Sequence, residues 1–118
     1  MDIMDFIDLK KQQELIRNNI DYRISKVLNH GQYILGPEVK ELEHELSLFS
    51  KSKYVLCCSS GTDALLLGLI SLGLKPNEGV IVPSFTFAST AEAVCMLGGL
   101  PFFSDVKIDT FNICEKSI

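Results

Sequence analysis

Tyr54-Val-Leu-Cys-Cys-Ser-Ser-Gly-Thr-Asp-Ala-Leu-Leu-Leu-Gly-Leu69 joins two kinds of sequence without a spacer. A short apolar run of strand character ends at Ser59-Ser60-Gly61-Thr62, and an apolar helical segment begins at once. A helix that starts this abruptly leaves its first backbone N–H groups without partners inside the helix. Together with the positive end of the helix dipole and nearby small hydroxyl residues, those groups suit an anion such as phosphate, with no need for Lys or Arg. Ser or Thr at this place also acts as a plain N-cap, and the residues alone allow both readings.

Downstream of this junction strands and helices alternate. Residues 54–58 are expected as a strand and 62–72 as a helix that is apolar on nearly every side. A strand at 80–82, a helix at 89–97 and a strand at 101–103 running toward Asp105 follow. Such a β-α-β-α-β series builds a mainly parallel sheet covered by helices on both faces, with turns supplied by residues 73–79 and by Gly98-Gly99. Ligands of parallel sheets bind beyond the carboxyl ends of the strands, where residues 59–62 and 83–89 are both expected. Neither Gly-x-Gly-x-x-Gly nor Gly-x-x-x-x-Gly-Lys-Ser/Thr occurs, so a Rossmann dinucleotide site and a P-loop are unsupported.

Upstream the periodicity is helical. Ile16, Ile20, Ile24, Val27 and Leu28 place one amphipathic helix over 12–30, with Gly31 as its C-cap. A second helix opens at Gly36-Pro37 with Glu38 and Glu41 near its positive end, and Val39, Leu42, Leu46 and Phe49 form its stripe for burial.

The composition supports a folded chain. Of 118 residues 47% are hydrophobic, and the mean hydropathy is +0.22. The long apolar segments exceed what a domain of this size needs, which implies surface meant for further partners. The net charge of −4 and the scattered basic residues argue against a nucleic-acid surface. Cys57, Cys58, Cys95 and Cys114 show neither zinc nor Cys-x-x-Cys spacing and read as small buried hydrophobes in a reducing compartment. Met1-Asp-Ile-Met-Asp-Phe-Ile-Asp8 is acidic and lacks the basic and apolar regions of a signal peptide. The apolar stretch 64–74 is broken by glycines and a serine and is too short to span a bilayer. A soluble, cytoplasmic protein is expected, with no metal site.

Three motifs now stand in order: Gln32-Tyr-Ile-Leu-Gly-Pro-Glu-Val39, Ser59-Ser-Gly-Thr62 and Pro83-Ser-Phe-Thr-Phe-Ala-Ser-Thr-Ala91. This order resembles the start of the DegT/DnrJ/EryC1/StrS family of pyridoxal-phosphate-dependent nucleotide-sugar aminotransferases, from Phe6-Ile-Asp-Leu-Lys10 to Asp109-Thr-Phe-Asn112. The resemblance implies an α/β fold, the N-terminal part of the fold-type I PLP-dependent transferase large domain (α/β/α, mainly parallel sheet) preceded by two helices. Residues 1–52 would be the helical segment and 53–118 the first β-α-β-α-β units. In that family the lysine that anchors the cofactor, the Asp facing the pyridine nitrogen and a further phosphate-binding Ser come later than the position of Ile118. The chain is therefore expected to be an N-terminal part of such an enzyme, inactive alone and without catalytic residues of its own.

The resemblance also implies roles residue by residue. Ser60, Gly61 and Thr62 would hold the pyridoxal 5'-phosphate group, and Phe87 would stack on its ring, keeping the apolar surface of the Tyr or Trp found in many members but losing their polar handle. Gln32-Tyr33-Ile34 resembles the stretch near the sugar, which makes Tyr33 a candidate substrate contact; a half-buried packing aromatic is the plainer alternative. Phe85 reads as core, and His30 and His44 as surface or capping residues. Asp63 suits the helix start by charge but would oppose a neighbouring phosphate unless turned away.

Implied partners are a keto nucleotide-sugar, glutamate as amino donor and a second copy in a homodimer. The segments 6–13 and 30–39 are most similar to members acting on 3-keto UDP-sugars for surface polysaccharide. The family also includes dehydratases in which the reactive lysine is replaced. Two alternatives stay open: a non-catalytic remnant or interaction module of the same fold, and a small α/β phosphate-binding protein.

Overall fold

The structure, a computed structural model, describes residues 6–118, so residues 1–5 of the acidic start lie outside the described residues. Two compact units divide between Cys57 and Cys58, which leaves residues 53–57 with the helical unit.

In the first unit α1 spans Leu9–His30 and α2 spans Pro37–Ser50. The first helix begins earlier than its apolar periodicity suggests because Asp8 caps it, its carboxylate accepting the Lys11 N–H at 2.9 Å. It ends at Gly31, in the left-handed region at φ 67°, whose N–H donates to the Val27 carbonyl at 3.0 Å. The second helix starts with Pro37 at its first position, as the sequence suggests. Polar ties join the two: the Arg23 guanidinium grips the Glu41 carboxylate with both nitrogens, at 2.5 and 2.8 Å, and Glu38 receives His30 and Lys26. The expected burial of Leu42, Leu46 and Phe49 is not found; all three are exposed. Periodicity tells which face of a helix is apolar, but burial also needs an element to cover that face.

Residues 54–58 form no strand. Extended backbone becomes a strand only through a ladder partner, and here the Cys57 N–H instead donates to the Glu43 side chain at 2.8 Å, with Tyr54 and Leu56 exposed.

The second unit runs α3 (Gly61–Ser71), β1 (Gly79–Pro83), α4 (Ser89–Met96) and β2 (Leu100–Ser104). The two strands pair in parallel, from Gly79 opposite Leu100 to Pro83 opposite Ser104, and α4 is the crossover that parallel pairing requires. Val82, Ala93 and Val94 form the core, where α4 meets the sheet, and α4 also packs on α3. Ser104 is buried with its hydroxyl facing the carbonyls of Asp105 and Cys114. Beyond β2 an antiparallel bridge joins Val106 to Ile113, and a 3-10 turn covers Glu115–Ser117. Leu65, Leu67, Ile70 and Leu72 on and just after α3 remain exposed. All four cysteines are free, and none is buried, contrary to expectation: Cys58 and Cys95 are exposed and the other two half-buried. Among the described residues no helix is long and apolar enough to cross a membrane.

Candidate functional site

The junction that decides the fold also carries the candidate site. Ser60 is the N-cap of α3: its backbone is extended, its Oγ accepts the Asp63 N–H at 3.1 Å, and its carbonyl accepts the Ala64 N–H at 3.0 Å. Two first-turn donors are thereby used. The N–H groups of Gly61 and Thr62, and the Thr62 hydroxyl, find no hydrogen-bond partner among the described residues. On the side-chain side of Gly61 there is room, since a Cβ built there meets nothing within 4 Å.

Asp63 bears directly on this cradle. Its carboxylate accepts from both the Ser59 and the Ser60 hydroxyls. Those two bonds, Ser59 first, hold the group below the ordinary Asp range, so it is ionised. The carboxylate is thus engaged on the Ser59–Ser60 side, and the Ser60 hydroxyl proton is committed to it. Gly61 and Thr62 remain as the unengaged donors, and Thr62 is half-buried.

Phe87 stands in the loop between β1 and α4, 78% exposed, with its carbonyl accepting the Thr90 N–H at 3.1 Å. The Thr86 and Thr90 hydroxyls lie 3.3 Å apart across the same turn. Phe85, expected in the core, is exposed and packs against Phe111 with ring centroids 5.4 Å apart. A short loop beyond a strand end has too little covering chain to bury it. Tyr33 belongs to the first unit, in the turn between α1 and α2, and is 66% exposed. Sequence reasoning missed the Asp63 clasp on Ser59 and Ser60, although the Ser-x-x-Asp spacing at the helix start is a capping-box signal.

The sequence profile of the DegT/DnrJ/EryC1/StrS aminotransferase family matches residues 14–118. The chain belongs to this family. It is 49% identical over 111 residues to a Pseudomonas aeruginosa UDP-2-acetamido-2-deoxy-3-oxo-D-glucuronate aminotransferase, a match covering 94% of this chain and 31% of that protein. A DegT/DnrJ/EryC1/StrS aminotransferase from Brucella abortus superposes with a TM-score of 0.91 at 46% identity, over 95% of this chain and 30% of that one. NtdA from Bacillus subtilis, solved with bound cofactor PMP, superposes at 0.88 and 33% identity, over 100% of this chain and 29% of that one. The fold is therefore that of the fold-type I PLP-dependent aminotransferases, and the chain spans about 30% of the length of the relatives it matches. The donor set suits the family's phosphorylated cofactor: at this helix start an anion would meet two N–H groups and a hydroxyl without partners among the described residues, with the Asp63 carboxylate already engaged.

Proposed function

We propose that this chain provides the phosphate cradle and ring-stacking part of a PLP-dependent aminotransferase that moves an amino group from glutamate to a keto nucleotide-sugar, for amino-sugar or surface-polysaccharide biosynthesis. One observation carries the reading: the N–H groups of Gly61 and Thr62 at the start of α3 have no hydrogen-bond partner among the described residues. The helical unit up to Cys57 and the α/β unit from Cys58 onward are the first parts of that enzyme's large domain, and a homodimer is the assembly. Pyridoxal phosphate, when bound, supplies an electron-accepting ring that holds the amino group in transit.

This chain's residues bind and orient. Gly61 and Thr62 donate backbone N–H to the phosphate, the Thr62 hydroxyl adds a third donor, and the helix dipole favours the charge. Ser60 fixes the cradle by capping α3, and Ser59 and Ser60 draw the Asp63 carboxylate aside. Phe87 would offer the ring an apolar stacking face that keeps water from it. Tyr33 contacts the sugar.

The test is Thr62→Ala against Thr62→Ser in pyridoxal phosphate binding. The Ala variant weakens binding by about 1.5–3 kcal/mol, the loss of a charge-assisted hydrogen bond, and Ser retains most of it. Loss of fold with unchanged affinity per folded molecule would make Thr62 a helix residue only.

A further inference from the structure

The turn between α1 and α2 is held from both sides at one residue. The Gln32 N–H donates to His30 Nδ1 at 3.0 Å, and the Gln32 carbonyl lies so close to Gly36 that a Cβ there would sit 2.3 Å from its oxygen. A ring nitrogen that accepts a hydrogen bond carries no proton, so the proton of neutral His30 is on Nε2. That nitrogen stands 3.1 and 3.2 Å from the two Glu38 carboxylate oxygens and donates to them. Both bonds of the one ring therefore demand the same tautomer. His30 and Glu38 side chains are only 23% and 22% exposed, so water competes weakly for the contact between them.

Within this clasp Leu35 sits in the left-handed region at φ 49°, a conformation that a branched side chain keeps only where its surroundings impose it. Tyr33, Ile34 and Leu35 are all exposed, so they are what the turn displays. We propose that His30 is the positioning residue of turn 31–36: neutral and protonated on Nε2, it clasps Gln32 to Glu38 and so fixes where Tyr33 stands. The consequence for substrate rests on the reading of Tyr33 as a sugar contact.

The experiment is ¹⁵N NMR of the histidine-labelled chain together with amide exchange at Gln32, in the native protein, His30→Asn and His30→Gln. The Asn oxygen stands where Nδ1 does and can accept from Gln32; Gln places its polar atoms farther out. Expected are the Nε2–H tautomer and a Gln32 amide that exchanges about tenfold faster in His30→Gln, the loss of one hydrogen bond, with protection kept in His30→Asn. The Gly31 amide, bonded to Val27, is the folding control. The Nδ1–H tautomer, or equal Gln32 exchange in all three proteins, would overturn the proposal. Nucleotide-sugar affinity unchanged by Tyr33→Ala would remove the sugar-contact reading, while the clasp is decided by tautomer and exchange alone.

Discussion

Gly61→Ala separates the ligand role of the cradle from its structural role, because the two predict opposite signs. Gly61 is the first residue of α3, its φ is not in the left-handed region, and an added Cβ meets nothing within 4 Å. No steric reason in the fold requires glycine there. Replacing it with alanine restricts the unfolded chain and favours the helix, which stabilises by about 0.5–1 kcal/mol at a compatible site. For a unit of this size that raises the melting midpoint by about 2–8 °C. Under the proposed reading, the new methyl group stands in the open space beside Gly61 and would obstruct a phosphate approaching the Gly61 and Thr62 N–H groups. Losing one such charge-assisted contact weakens pyridoxal phosphate binding by about 1.5–3 kcal/mol, roughly tenfold to 150-fold. Thermal melting by circular dichroism and a ligand titration on the same sample read both effects. A variant that melts higher and binds as tightly as before would refute the idea that glycine is there for ligand approach.

Phe87→Ala should leave the melt unchanged, since the ring is exposed, yet weaken pyridoxal phosphate by about 0.5–1.5 kcal/mol, with Phe87→Tyr restoring it; a lowered melt with intact binding would make Phe87 a packing residue. Acidification should loosen α2 from α1. Glu41 is held below the usual carboxylate range by the Arg23 hydrogen bond and charge. For Glu38, burial pushes upward but is outweighed by a backbone hydrogen bond and by His30 and Lys26. Groups depressed in this way stabilise above the ordinary carboxylate value, and the contribution is lost as pH falls below about 4. Faster amide exchange in α2 at low pH would show it, and unchanged exchange would count against the ties. The exposed Leu65, Leu67, Ile70, Ile81 and Phe102 should drive self-association, seen as a sedimentation coefficient that rises with concentration; a concentration-independent monomer would contradict this.

Local chemistry made much of the fold legible. Gly31, Gly36-Pro37 and Ser60-Gly61 mark helix ends through φ preference, a missing N–H and a capping hydroxyl, and each acts within a few residues of itself. The strands 80–82 and 101–103 lie inside β1 and β2 for a similar reason: α4 brings them side by side over a short crossover. The run 54–58 has equal strand character but no such neighbour, and its pattern cannot supply one. In the α2 stripe Val39 is half-buried, whereas Leu42, Leu46 and Phe49 fail as a burial forecast on the same ground. At the site, the Ser60-Gly61-Thr62 cradle could be read from its helix-start position, whereas the Asp63 clasp and the His30 contacts depend on side-chain directions that spacing does not fix.

The central claim is that the Gly61 and Thr62 N–H groups hold the cofactor phosphate, and ¹H–¹⁵N correlation spectra of the chain titrated with pyridoxal phosphate test it most directly. The account predicts saturable downfield shifts of the Gly61 and Thr62 amide protons, reproduced by Thr62→Ser and diminished by Gly61→Ala. Binding that shifts other amides and leaves these two in place would contradict it.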